Sequence, residues 1–234
     1  MRRSSLAAEA KLPRNLICGE VNPMQKIFIG LLVFNFSIAF AMAADQISSD
    51  RIISDYPAGS ITKGEGLKHW HKFYEVASHP RCTNCHAGPD NIPMWSGPSY
   101  GTTRPHGMNI NSGPSRIGAE SVVCSACHTV LKHPNPVANA IPHSPPKVAA
   151  VWKLAPVSTA WFGKSSEYIC NQIKDPERNG KRSVRDVAVH LGHDQVLRWA
   201  WFPGRNRQPP PRSLQEAMDD SMKWAAAGAP CPGD

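Results

Sequence analysis

The chain has 234 residues, 22 of them Pro and 17 Gly, and only 19% are charged. That length suits one ordinary domain, and the composition excludes a collagen, a coiled coil and a multi-span membrane protein. The formal charge of +8 falls to +5 once residues 1–43 are set aside, because 21 Lys/Arg then face 16 Asp/Glu. The remaining basic residues are scattered, which reads as a solvated surface and not as a nucleic-acid face.

Residues 1–23 carry Glu9, Pro13, Glu20 and Pro23 ahead of an apolar run. They resemble no leader and read as a doubtful N-terminal extension, with translation starting at Met24. Residues 24–43 read as a secretory signal peptide. Lys26 gives a positive start, 27–40 is the apolar run, and Ala41-Met42-Ala43 is a small-x-small cleavage site. The mature chain, 44–234, is then a single periplasmic domain, membrane-bound only if the leader stays uncleaved. In residues 66–77, Leu67, Trp70, Phe73, Tyr74 and Ala77 recur at helical spacing and predict an amphipathic helix that Pro80 ends. Residues 87–120 show no lasting period and predict a long ordered loop. Residues 132–159, with six Pro, predict extended chain. Residues 166–174 predict a short helix carrying Cys170. Ser183 with Asp186 predicts a capped helix through Leu191. Ser213 with Glu216 predicts a last helix, with Met218 and Met222 on its core face and Gly228 beyond its end. The fold class expected is mainly α with extensive irregular loops.

The cysteine spacing adds the chemistry. Of seven Cys, Cys18 falls in the extension, and four form Cys82-Thr83-Asn84-Cys85-His86 and Cys124-Ser125-Ala126-Cys127-His128. Cys-x-x-Cys-His is the c-type haem attachment pattern. The two thiols reach the vinyl groups on one porphyrin edge, and the adjacent His lies under the iron. Zinc and redox dithiols also use Cys-x-x-Cys pairs. A four-Cys zinc site usually separates its pairs by 15–20 residues, whereas Cys82 and Cys124 lie 42 positions apart. Neither rival needs a His after each pair. With ten His in the chain, chance places both in about two cases per thousand.

The chain is then expected to be a dihaem cytochrome c-like domain wrapped around two covalent haems, and the two haem c groups predict proximal ligands His86 and His128. For the distal positions, His106 is favoured on one iron, with Met108 behind it. His190 is favoured on the other, followed by His193 and His79. His69, His71, His133 and His143 read as surface or hydrogen-bonded residues. The seven Trp read as core packed on porphyrin faces. Cys170 and Cys231 remain as one pair. They read as a structural disulfide closing some 62 residues, or, in a sharper reading, one of them as a thiolate ligand or sulfur-substrate site.

The string His79-Pro80-Arg81 running into the first motif, then Pro105-His106-Gly107-Met108-Asn109, then the second motif, resembles a family of exported dihaem cytochromes. That family is often labelled as subunits of isoquinoline 1-oxidoreductase. The similarity continues through Trp152-Lys153-Leu154-Ala155-Pro156, Cys170 with Lys174-Asp175-Pro176, His190 with Asp194, Trp199-Ala200-Trp201, Pro203-Gly204 and Gly228-Ala229-Pro230-Cys231-Pro232. It covers nearly the whole mature chain. The chain lacks the molybdopterin domain and iron–sulfur motifs of a molybdenum hydroxylase. The resemblance thus implies an electron-transfer protein serving such an oxidoreductase, and it implies the Cys170–Cys231 pairing. The function expected is electron relay between a redox donor and acceptor that dock transiently, with no nucleic-acid partner. The alternatives are a dihaem enzyme with an open, peroxidase-like haem, and a thiosulfate-type oxidoreductase.

Overall fold

A computed structural model describes residues 52–96, 102–129, 145–147, 151–203 and 207–234. The expected extension and signal peptide, with Cys18, His133, His143 and most of 132–150, lie outside the described residues. The described residues belong to one compact unit, 49–234. They are mainly helical, in the order α1 (Lys63–Ala77), α2 (Pro80–Thr83), β1 (Met94–Trp95), β2 (Arg104–Pro105), α3 (Ser166–Lys174), α4 (Val184–His193), α5 (Gln195–Trp201) and α6 (Leu214–Ala226). Short 3-10 turns lie at Gly107–Asn109, Cys124–Ala126 and Val157–Thr159.

Local chemistry explains the helix starts. Thr62 with Glu65, Ser183 with Asp186 and Ser213 with Glu216 form full capping boxes at α1, α4 and α6. Each satisfies two otherwise unpaired groups at a helix N-terminus. Ser165 caps α3, and Asp194 caps α5. The Asp194 cap starts a seven-residue helix absent from the sequence expectation. Helix α1 begins three residues earlier than the apolar spacing suggested, because the Thr62 box lies upstream of Leu67. Pro80 does more than stop α1. It occupies the first turn of α2, where its missing N–H is harmless.

The core is built where α6 packs between α1 and α4, with α3 against α1. Trp70, Phe73 and Val76 of α1 meet Ile169 and Ile173 of α3, Leu191 of α4, and Met218 and Trp224 of α6. The Trp70 and Trp224 rings lie 4.8 Å apart. Truncating either indole to alanine would remove about 3–5 kcal/mol. Gly66 lets α1 approach the end of α6, since a Cβ there would sit 2.3 Å from the Ala227 Cβ. Cys170 and Cys231 form a buried disulfide, with Cα atoms 5.7 Å apart, that ties α3 to the turn after α6.

The loop of residues 87–120 is organised by a two-rung antiparallel ribbon, Met94 opposite Pro105 and Trp95 opposite Arg104. The Met94 N–H donates to the Asn84 carbonyl (3.1 Å), inside the first motif, and the His106 N–H donates to Pro93 (2.8 Å). The ribbon is thus pinned to the first Cys-x-x-Cys turn.

Candidate functional site

The first motif leaves α2 as a tight turn. The Cys85 and His86 N–H groups both donate to the Cys82 carbonyl, at 3.2 and 3.1 Å. Both thiols are free, Cys82 buried and Cys85 half-buried. Burial first, and the neighbouring Cys85 second, push the Cys82 thiol up to about 12. Burial likewise pushes Cys85 up to about 11. Redox dithiols depend on a lowered thiol pKa, so this environment opposes that chemistry.

His86 is fixed on two sides. Its Nδ1–H donates to the Thr159 carbonyl at 2.6 Å, and its ring stacks on Trp161 with centroids 3.8 Å apart and planes at 7°. Trp161 is held in turn by its N–H to the His86 carbonyl (2.8 Å) and its indole N–H to Gln172 Oε1 (2.7 Å). Burial brings the imidazole down to about 4, so the ring is neutral at pH 7. With Nδ1 engaged, Nε2 carries the free lone pair. A carbonyl behind Nδ1 is the usual support for a metal-ligating histidine.

The second motif repeats this unit. Cys124–Ala126 is a 3-10 turn, and the His128 N–H donates to the Cys124 carbonyl at 3.0 Å. His128 Nδ1–H donates to the Pro146 carbonyl at 3.2 Å. The ring stacks on Trp152, with centroids 4.2 Å apart and planes at 9°, and burial brings it down to about 4. The setting is more open, for Cys124 is half-buried and Cys127 exposed. Two Trp read from the sequence as porphyrin packing therefore stack on the motif imidazoles. Trp70, Trp201 and Trp224 belong to the apolar core.

Arg116 packs beside the first motif and in the loop that leads to the second. It is 7% exposed, and all five guanidinium N–H donors are used. They go to the carbonyls of Ala87, Gly88 and Ala155, the last taking two, and to Asn91 Oδ1. Among the described residues no carboxylate forms an ion pair with it. Its own carbonyl accepts from Leu154 N–H at 2.9 Å. Nothing in the local sequence singled this arginine out, since its acceptors are backbone groups far along the chain.

The distal candidates separate clearly. The His106 ring lies 6.3 Å from that of His128. Met108, two residues on, has φ +63° and is 87% exposed. His190 lies within electrostatic range of His86. Its side chain is 48% accessible, and burial of the remainder lowers its pKa. Its Nδ1 is 3.6 Å from Asp194 Oδ2. His193 is exposed at the end of α4. His79 caps α2, its Nδ1 accepting from the Arg81 N–H at 3.2 Å. His69 bonds Asp220 at 2.7 Å, and His71 lies 3.7 Å from Glu75. Both match the hydrogen-bonded or surface reading.

Among the described residues, no group of three or more His, Cys, Asp or Glu is arranged to hold a bare metal ion, so the four motif thiols do not assemble one tetrahedral site. Cys170 and Cys231 are joined to each other, which removes the free thiol that the sulfur-chemistry reading required. No helix of the described residues is long and apolar enough to cross a membrane. Comparison with protein-family models, with curated proteins and with solved structures found no match.

Proposed function

We propose that this chain is an exported electron carrier holding two covalent haems, through Cys82 and Cys85 at one site and Cys124 and Cys127 at the other. His86 and His128 are the proximal ligands. One observation carries the reading: at both motifs the histidine has Nδ1 held by a backbone carbonyl and one face held by a tryptophan, which leaves Nε2 as the ligating atom. When bound, the haems supply one-electron exchange between ferrous and ferric iron. The protein's share is to hold the imidazoles in one tautomer and orientation, and to keep water from the first site.

The residues fit such a group at a further point. The indole N–H groups of Trp70, Trp161, Trp201 and Trp224 all find acceptors. The buried Nε1 of Trp199 has none among the described residues. Its ring lies edge-on to Trp152, with the guanidinium groups of Arg81 and Arg207 at 5.1 and 6.0 Å. A donor flanked by two cations suits a haem propionate carboxylate. Around the second motif Val122, Val123, Met108 and Val151 are exposed, so this end of the molecule is where a redox partner docks transiently.

The test is expression in a host that attaches c-type haem. The denatured chain is expected to keep two haems by mass and by its optical spectrum. A Cys124→Ala/Cys127→Ala chain is expected to keep one. A wild-type chain without bound haem would sink the proposal. A wild-type haem that is high-spin and binds carbon monoxide would move the reading to an enzyme with an open iron, with peroxide as its first substrate.

A pH dependence follows from the two imidazoles. Burial favours the neutral ring down to about 4 at both His86 and His128. Before haem attachment both rings are therefore expected to stay neutral from pH 7 down to about pH 4, as read by ring-proton NMR. Protonation of either ring near the ordinary histidine value of about 6.5 would show that it is open to solvent.

A further inference from the structure

The rings of His106 and His128 lie with centroids 6.3 Å apart and planes at 62°. Two imidazoles hydrogen-bonded nitrogen to nitrogen would sit nearer, with centroids about 5 Å apart. An imidazole nitrogen binds a transition-metal ion at about 2 Å, so two rings on opposite sides of one ion have centroids about 6 Å apart. The observed spacing matches the second case.

The tautomers agree. His106 Nδ1–H donates to the Gly107 carbonyl at 2.9 Å, and His128 Nδ1–H donates to the Pro146 carbonyl at 3.2 Å. A carbonyl can only accept, so both rings carry their proton on Nδ1 and keep a lone pair on Nε2. The backbone of His106 is not free to wander. Its N–H is bonded to Pro93, and Pro105 before it pairs with Met94 in the ribbon. Met108 is no rival in this geometry, since its side chain is directed into solvent.

We propose that His106 is the second axial ligand of the iron held by His128, and that the β1–β2 ribbon serves to deliver it. The inference rests on the dihaem reading above. The loop that follows the first motif thus serves the second site, while remaining anchored on the first. Bis-histidine ligation lowers the reduction potential relative to histidine–methionine ligation, and it closes the second iron to small ligands.

The test uses the loaded, full-length protein. His106→Ala is expected to keep two covalent haems and turn half of the total haem high-spin and able to bind carbon monoxide. His106→Met is expected to keep both haems low-spin and raise the potential of one. Met108→Ala is expected to leave spectrum and potentials unchanged. If His106→Ala retains two covalent haems that are both low-spin and inert to carbon monoxide, the ligand assignment is wrong while the carrier reading stands. A spin change on Met108→Ala would overturn the assignment equally. Absence of covalent haem from the wild-type chain would overturn both. If His106→Ala fails to fold, the potential shift of His106→Met decides: an unchanged potential at both haems rejects the assignment.

Discussion

Replacing Arg116 by alanine is expected to cost about 2–4 kcal/mol of stability, because it strips donors from buried backbone carbonyls without leaving a charge unpaired. The guanidinium supplies donors to three backbone carbonyls and one side-chain amide, and every N–H is used. Those carbonyls belong to Ala87 and Gly88, directly after the first motif, and to Ala155, whose N–H in turn bonds Cys85. An unsatisfied buried carbonyl costs about 1–3 kcal/mol, and water entering the gap recovers part of the sum. Arg116→Lys offers three donors from a point where five diverge, so it should lose roughly half as much. The pair of variants also separates packing from charge. Arg116 lies within electrostatic range of Cys85 and His86, so under the proposed dihaem reading a cation there would favour the reduced iron. Alanine should then lower the potential of the haem at the first motif, whereas lysine should hold it near the wild-type value. Denaturant unfolding and a redox titration read the two effects. A loss under about 1 kcal/mol for alanine would mean that water replaces the guanidinium without strain.

Removal of the Cys170–Cys231 bond, as Cys170→Ala/Cys231→Ala, is expected to cost about 4 kcal/mol. The bond spans 61 positions, and in the chain-entropy account a loop of that length restricts the unfolded state by roughly 4 kcal/mol. The native ends stay near one another by other means. The Trp224 indole N–H bonds the Pro230 carbonyl at 2.9 Å, the Cys231 N–H bonds Asp234 Oδ2 at 2.7 Å, and Lys174 pairs with Asp234 at 3.2 Å. The effect should therefore appear as a lower denaturant midpoint with the native far-UV circular dichroism intact. Both sulfurs are buried, so a thiol reductant should open the bond only under unfolding conditions. A midpoint unchanged in the double variant would assign the stability of this end to packing alone.

Elements whose order is local could be read from the chain. Helix α3 was legible to the residue, because Ser165 caps one end and the apolar spacing is confined to 166–174. Helix α6 and the start of α4 were legible from their Ser–x–x–acid boxes. The motifs themselves needed no fold. The ribbon, Arg116 and the tryptophans stacked on His86 and His128 were not legible, because each is ordered by partners far along the chain and leaves no period. Helix α5 is too short for periodicity to register, and its Asp194 cap is the local signal that could have found it. His106 illustrates the boundary between the two cases. Its chemistry marked it as a ligand candidate, yet it stands 20 positions after His86 and 22 before His128. Spacing alone could not pair it with either motif histidine, whereas the fold brings its ring to 6.3 Å from that of His128.

The path of the backbone has one last consequence. The first motif and the groups that hold His86 are drawn from 82–86 and again from 155–161, while the second motif and the groups around His128, namely His106, Pro146 and Trp152, all fall between. The second cluster is nested inside the first, like a clause in parentheses. No single cut of the chain parts the two clusters, so they are not a tandem of modules. Excising the inner cluster would also remove Arg116, whose guanidinium holds the Ala87 and Gly88 carbonyls beside the first motif.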